Sequence, residues 1–228
     1  MPLYLLTDEL IFPPPCRAMD DGLLAIGGDL SVERLLLAYS HGIFPWYSDD
    51  SPLLWWSPDP RLVLYPHELH VSKSLGKVIN KRLFDVTMDT AFREVMTACA
   101  QIDRPTQDGT WILDDMIAAY CRVHEAGYAH SVEVWQAGEL AGGLYGISLG
   151  RSFFGESMFS RRSNASKVAL YYLVEHVKAL QFDLIDCQIT TDHLVRMGAR
   201  EISRAQYLTE LAHSLRYPTV QEKWIIRG

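Results

Sequence analysis

Three polar residues near two predicted strand ends are the first candidates for chemistry. Glu156 follows the apolar run FFG at the end of one predicted strand, and Asp186 and Gln188 lie at the carboxyl end of another, within IDCQ. Residues two apart on a strand project to the same face, so this carboxylate and amide should be neighbours, with Ile185 and Cys187 facing the packed side. A carboxylate at the end of a buried strand is costly unless it is paired or used. These residues could therefore hold or move a proton in a transfer reaction.

Both carboxylates also have structural explanations. Asp186 could cap the turn after its strand, and an arginine of the segment SRR could neutralise Glu156. Cys187 and the nearby His193 could form a thiol nucleophile and its base, but the Cys187 side chain is expected to point away from Asp186. The residues alone are compatible with two interpretations of Asp186 and Glu156, as a site that handles a proton and as structural carboxylates. A Cys187 nucleophile is the weaker candidate.

Metal and cofactor chemistry has no recognisable motif in this chain. The eight histidines lack the HExxH spacing, and the acids lack a calcium-loop pattern. GGLYG has no lysine and serine partner for a phosphate loop, and SRRSNASK lacks the glycines of a coenzyme A pyrophosphate loop. We therefore expect neither a metal nor a cofactor.

The candidate residues lie on a predicted meander, helix and strand. The meander strands are predicted at residues 130–135, 140–147 and 151–156. Ser163 or Asn164 should cap a helix that runs to about Leu180, and a buried strand follows at residues 182–187. This order predicts an α+β fold, with helices on the faces of a mixed sheet of the kind that acetyltransferases use.

The first 60 residues have a different pattern. They combine a proline run with glycines, and three of the six tryptophans lie within eleven residues. Large rings in such a segment either pin it to a neighbouring domain or stack on a base. We expect a small N-terminal domain over residues 1–60 and a second domain over residues 61–228. The residues expected to cap helices are Ser31, Asp89 and Ser203.

Charge is distributed unevenly along the 228 residues. The net charge is -7, and residues 1–60 account for all of it, with two basic residues against nine acids. Residues 61–82 are locally basic. This segment could contact part of an RNA, or it could be a solvent-exposed helix face rich in lysine. Four scattered cysteines, the lack of a signal sequence and the lack of a long apolar run predict a cytoplasmic protein that does not enter the membrane.

Eight segments carry a family resemblance over nearly the full chain. They are GLLAIGGDLSVERLLLAYSHGIFPWYS, LLWWSPDPR, GTWI, HSVEVW, GGLYG, GESMFSR, NASK and IDCQ. In this order they resemble the leucyl/phenylalanyl-tRNA–protein transferases. The resemblance implies transfer of leucine or phenylalanine, with methionine as a further candidate, from aminoacyl-tRNA to the α-amino group of a protein that begins with arginine or lysine. It also implies that the product is marked for degradation by the N-degron pathway, and we expect the enzyme to act as a monomer.

The resemblance implies that the small N-terminal domain packs on a C-terminal domain of the acetyltransferase-like fold. It also assigns roles to particular residues. Trp46 and Trp111 would hold the terminal adenosine of the tRNA. The pocket for the transferred side chain would comprise Leu144, Met158, Leu170, Leu173, Val177 and Ile185. The acceptor stem would contact Arg61, Lys73, Lys77, Lys81 and Arg82.

The three polar residues would then act in aminolysis of the aminoacyl ester. The family's proposed scheme makes Gln188 the proton acceptor, polarised by Asp186. Because an amide oxygen is a very poor base, we expect instead that Gln188 orients the amine by accepting a hydrogen bond. Asp186 would stabilise the developing ammonium, and Glu156 would orient the substrate or the positive end of the acceptor. The alternatives are a coenzyme A-dependent N-acyltransferase and a non-catalytic module that binds tRNA or N-terminal residues.

Overall fold

Two β-sheets organise the chain in the computed structural model, which describes residues 3–102, 110 and 112–226. The smaller sheet contains β1 (Tyr4–Leu6), β2 (Leu23–Gly27), β3 (Phe44–Pro45) and β4 (Leu54–Trp56). The larger sheet contains β5 (Arg61–Leu64), β6 (Asp85–Met88), β7 (Ala129–Gln136), β8 (Glu139–Leu149), β9 (Ser152–Ser160), β10 (Leu184–Gln188) and β11 (Arg200–Ile202). The helices are α1 (Val32–Ser40), α2 (Lys73–Asn80), α3 (Phe92–Gln101), α4 (Asp114–Glu125), α5 (Ala165–Ala179), α6 (Asp192–Arg196) and α7 (Arg204–Ser214).

The larger sheet is mixed, and its strand order is β11-β5-β10-β9-β8-β7-β6. The predicted meander is confirmed, because β7, β8 and β9 pair antiparallel in sequence. Helix α5 then carries the chain to β10, which pairs parallel to β9 and antiparallel to β5. The pairing of β9 with β10 ends at Phe154 opposite Asp186. Beyond this point the two strands separate and leave an opening in the sheet.

Helices cover both faces of the larger sheet, as the α+β prediction requires. Alternate residues of β8 and β9 enter two buried clusters, so that Tyr145 and Phe154 face one side and Leu144 and Phe153 face the other. Helices α3 and α4, together with the smaller sheet, pack on the side of Tyr145. Helix α5 packs on the opposite side. The period-two alternation of these strands thus sorts their side chains into two cores.

Two of the four predicted helix caps are confirmed. Asn164 precedes α5, but its side chain makes no capping hydrogen bond. The Ser31 hydroxyl accepts a hydrogen bond from the backbone of Arg34, and Ser203 does the same for α7. The prediction for Asp89 is wrong, because α3 begins after Ala91, whose side chain makes no capping bond. Asp89 is buried instead, and its carboxylate accepts bonds from the backbone N–H groups of Ser131 and Trp224. It therefore anchors the C-terminal segment to the sheet.

The smaller sheet lies within residues 4–56 and the larger within residues 61–202. A single buried cluster joins them, since Leu24 and Trp55 share it with residues of α4 and β9. The division into domains at residue 60 stays a prediction. Over residues 3–102, 110 and 112–226, the helices are all too short or too polar to cross a bilayer.

Candidate active site

The end of strand β10 places Asp186 and Gln188 on opposite faces of the sheet. A β-bulge shifts the pairing with β5 between these two residues. Gln188 has a φ of +61°, in the left-handed region that favours glycine. The Asp186 carboxylate therefore contacts Tyr207 on one face, whereas Gln188 lines a cavity on the other. The predicted common face for this pair is wrong because the bulge breaks the alternation of the strand.

Asp186 is fully buried and its oxygens are saturated by hydrogen-bond donors. Arg61 donates from Nε to Oδ1 at 2.8 Å and from a terminal nitrogen to Oδ2 at 2.6 Å. Tyr207 donates its hydroxyl to Oδ2 at 2.8 Å, and the backbone N–H of Gln188 donates to Oδ1 at 2.9 Å. Asp186 does not line the cavity. Its direct effect is to hold the backbone of Gln188.

Arg61 belongs to this buried pair and not to an RNA-binding surface. Its side chain is 1% exposed, and its guanidinium lies 4.8 Å from the ring centre of Phe44 and 4.7 Å from that of Tyr207. Burial, the largest single effect, lowers the pKa of Arg61, but Asp186 and Tyr207 together raise it more, so the guanidinium stays charged. The predicted contact of Arg61 with an acceptor stem is therefore wrong, because the side chain has no exposed surface to offer.

Glu156 bridges the opening between β9 and β10. Its Oε1 accepts hydrogen bonds from Gln188 Nε2 and from the Tyr39 hydroxyl, both at 2.7 Å, and its Oε2 lies 3.0 Å from the Tyr120 hydroxyl oxygen. Burial raises the pKa of Glu156 to about 7, although bonds donated to an ionised Glu156 by Tyr39, Tyr120 and Gln188 would act in the opposite direction. A carboxyl group with this pKa can both give and accept a proton near neutral pH.

A cavity of about 490 Å³ begins at this bridge and runs along α5. Its wall contains both ends of the bridge and mostly apolar side chains. Five of the six residues predicted for a side-chain pocket line it, namely Leu144, Met158, Leu170, Leu173 and Ile185. Val177 does not line it, because this residue lies one turn beyond Leu173 and is fully buried in the core under α5. Trp46 lines the mouth contributed by the N-terminal segment. Trp111 lies outside the described residues.

Two other titratable groups line the cavity. Burial, aided by the nearby Asp186 carboxylate, raises the pKa of the Cys187 thiol, which opposes its use as a thiolate nucleophile. Burial, aided by Lys167 and Arg196, lowers the pKa of His193. Within the described part of the chain the His193 Nε2 atom is buried without a hydrogen-bond partner. Burial therefore favours the neutral form of this imidazole.

Sequence reasoning missed three contributors to the site. Tyr39 and Tyr120 contact Glu156 from helices α1 and α4. Their hydroxyl groups were the available signal, since a buried tyrosine usually needs a hydrogen-bond partner. Arg61 was recognised as basic, but the partner that buries it lies 125 residues away.

Comparisons with known proteins agree over nearly the whole chain. The family model for leucyl/phenylalanyl-tRNA protein transferase matches residues 63–212, and the model for the N-terminal domain of that transferase matches residues 28–59. This chain belongs to the leucyl/phenylalanyl-tRNA protein transferase family. The predicted family and the predicted transferase class are thereby confirmed, and the coenzyme A-dependent alternative is set aside.

Individual members of the family are similar from end to end. The leucyl/phenylalanyl-tRNA–protein transferase of Syntrophobacter fumaroxidans is 58% identical over 98% of this chain and 96% of its own length. The protein of the same name from Desulfatibacillum aliphaticivorans is 56% identical over 100% of this chain and 98% of its own. A GCN5-related N-acetyltransferase from Kribbella flavida shares 11% identity over 74% of this chain and 60% of its own, with a TM-score of 0.39. We draw nothing from a structural likeness that weak.

Proposed function

We propose that this protein transfers leucine or phenylalanine from an aminoacyl-tRNA to the α-amino group of a protein that begins with arginine or lysine. The observation that carries the proposal is one cavity with an apolar wall on α5 and β8 and a hydrogen-bonded Gln188–Glu156 bridge. The apolar side chain of the transferred amino acid would occupy the cavity beside this wall. The ester carbonyl of the aminoacyl-tRNA would then lie at the Gln188–Glu156 bridge. The names of the relatives support the donor and the protein acceptor. The choice of arginine or lysine follows from the resemblance, and the cytoplasmic setting follows from the scattered cysteines and the lack of a signal sequence. The monomeric state is part of the proposal.

The reaction is aminolysis of an activated ester, so alignment is the main requirement. A protein α-amine has a pKa of about 7.7 to 8.0, and a useful fraction is neutral at pH 7. Gln188 presents its Nε2 to Glu156, and its amide oxygen is the proposed acceptor for the incoming amine. Asp186 acts through Gln188, because it holds the left-handed backbone that aims this amide. This assignment replaces the idea that the Asp186 charge stabilises the ammonium directly.

A transfer assay tests the proposed function. Labelled leucine on tRNA is offered to peptides that begin with arginine or glycine, with Gln188→Ala beside the unmodified protein. We expect label on the arginine peptide alone and loss of transfer in the variant with charged tRNA still bound. If the unmodified protein binds charged tRNA but transfers no amino acid, the protein is a binding module instead.

The cavity wall should set the choice of amino acid. Leu173→Ala enlarges the cavity beside α5, which favours a phenyl ring over the smaller leucine side chain. We expect the ratio of phenylalanine to leucine transfer to rise about tenfold, the lower end of what one misfitted apolar group contributes. Competition between the two charged tRNAs measures the ratio. Val177→Ala is the matched control, because Val177 lies on the same helix but away from the cavity. An equal shift in both variants would show that the wall does not select the substrate.

Four exposed basic residues form the proposed contact with the acceptor stem. Lys73, Lys77, Lys81 and Arg82 lie on α2 and directly after it, and the three lysines are spaced four residues apart on one side of the helix. Each phosphate contact contributes about 0.7 to 0.9 to the slope of log affinity against log salt. Lys77→Ala should therefore weaken tRNA binding and reduce this slope by roughly one contact. Lys178→Ala on α5 is the control. Equal slopes for Lys77→Ala and the unmodified protein would place the stem elsewhere.

A further inference from the structure

Two tyrosine hydroxyls and the two carboxyl oxygens of Glu156 form a closed ring with three oxygen–oxygen contacts beside the cavity. The Tyr39 hydroxyl lies 2.7 Å from Glu156 Oε1, and the Tyr120 hydroxyl lies 3.0 Å from Glu156 Oε2. The two tyrosine hydroxyls lie 2.5 Å from each other. The side chains come from α1, α4 and β9, and both tyrosines have no exposed surface. Each of the three contacts has the length of an O–H···O hydrogen bond, which places a hydrogen atom between its two oxygens.

Counting hydrogen atoms distinguishes the two protonation states of Glu156 in the ring. The two tyrosines supply one hydrogen each, but the ring has three sides. If Glu156 is ionised, two electron-rich oxygens must face each other without a hydrogen between them. If Glu156 is protonated, each member donates to the next: Glu156 to Tyr120, Tyr120 to Tyr39, and Tyr39 back to Oε1. The carbonyl-type Oε1 still has a lone pair for the bond from Gln188 Nε2.

We propose that Glu156 holds a proton in the resting enzyme and acts as the general acid and base of the transfer. The amine nitrogen forms a bond to the ester carbonyl carbon, and the bond from that carbon to the ribose oxygen breaks. The Glu156 proton passes to the ribose oxygen, and the proton released by the amine returns to Glu156. The enzyme thus ends in its starting state. The catalytic half of this inference rests on the proposed function; the resting protonation does not.

The surroundings of Glu156 favour the neutral form. Burial is the largest cause of its raised pKa, and the negative charge of Asp186 adds to it. The other titratable or charged groups around the ring are Tyr145 on β8, Arg61 on β5, Tyr207 on α7, and Cys187 and His193 in the cavity wall. Arg61 is already paired with Asp186, so it does not serve as the counter-ion of Glu156.

An infrared pH titration of the full-length protein without substrate tests the resting state. The difference between the unmodified protein and Glu156→Gln isolates the C=O band of a protonated carboxylic acid. We expect this band at pH 6 and its loss as the pH rises through about 7. Absence of the band at pH 6 would overturn the proposal. Because no tRNA is involved, this result is independent of whether the protein transfers leucine.

Removal of one tyrosine hydroxyl distinguishes the ring from a carboxylate that simply receives two bonds. In Tyr39→Phe one contact remains, between Tyr120 and Glu156, and the Tyr120 hydroxyl supplies the hydrogen for it. Ionised Glu156 then faces no oxygen without an intervening hydrogen. The midpoint of the titration of the band should therefore fall by roughly one pH unit, a tenfold change in proton affinity. Tyr120→Phe should do the same from another helix, which covers failure of either variant to fold. A rise of the midpoint in both variants would show that both tyrosines donate hydrogen bonds to an ionised Glu156, and it would overturn the proposed ring with a protonated Glu156.

The catalytic half is tested by transfer in Glu156→Gln. A glutamine preserves the ring, because its amide N–H₂ can donate to Tyr120 while its oxygen accepts from Tyr39 and Gln188. It cannot exchange a proton with substrate. We expect transfer to fall by about 10² to 10⁴, as for loss of a general acid–base, with charged tRNA still bound. Full transfer in this variant would restrict Glu156 to a structural role.

Discussion

Asp186→Ala is expected to destabilise the protein by about 3 to 5 kcal/mol and to abolish transfer. The substitution leaves the Arg61 guanidinium buried without its partner, since Arg61 is 1% exposed and donates two bonds to Asp186. It also removes the acceptor of the Gln188 backbone N–H, so the left-handed backbone at Gln188 loses its support. Denaturant unfolding measures the first effect and peptide transfer the second.

A double variant separates the two roles of Asp186. Asp186→Leu combined with Arg61→Met removes both charges and replaces them with apolar volume, which often costs little stability. We expect the double variant to recover most of the lost stability but not the transfer activity, because nothing then fixes the Gln188 amide. Asp186→Ala with normal stability and loss of turnover alone would show that Asp186 acts in the chemistry itself.

Local features of the fold could be predicted from the sequence because they depend on neighbouring residues. Ser31 and Ser203 precede helices and bond to backbone groups three residues later, so their side chains identify the helix starts. The meander of β7, β8 and β9 follows from alternation and short turns. The position of Gln188 at the end of β10 was predictable for the same reason. The predicted strand end at Glu156 is wrong, because β9 continues beyond it to Ser160.

Contacts between distant residues could not be predicted in this way. The bulge after Asp186 has no residue signature, since glutamine rarely adopts a φ of +61°. The Arg61–Asp186 pair spans 125 residues, and the contact between Tyr39 and Glu156 spans 117. Side-chain types indicated that these groups needed partners, but they did not say which. The chemical roles of Asp186 and Glu156 changed once the partners were known.

Glu156→Gln is expected to make the protein more stable at alkaline pH. The folded protein raises the pKa of Glu156 from an ordinary value of 4.5 to about 7. The folded state therefore binds this proton more tightly than the unfolded chain, and the associated stability is present below pH 4.5 and is lost as the pH rises through 7. A difference of this size corresponds to about 3 kcal/mol at pH 9.

Glutamine is neutral at every pH and keeps the hydrogen bonds of the ring, so the variant avoids the cost of ionising a buried carboxyl group. Thermal unfolding should show Glu156→Gln melting above the unmodified protein at pH 9, by roughly 2 to 4 °C for each kcal/mol. The gap should close as the pH falls towards 4.5. Glu139→Gln is the matched control, because the Glu139 side chain is 81% exposed and its substitution should not change the melting temperature at either pH.

If Glu156→Gln melts below the unmodified protein at pH 9, the carboxylate is the form of Glu156 that the site stabilises. Gln188 and both tyrosines would then act as donors to a permanent negative charge, and the proton for the ribose oxygen would have to come from another group.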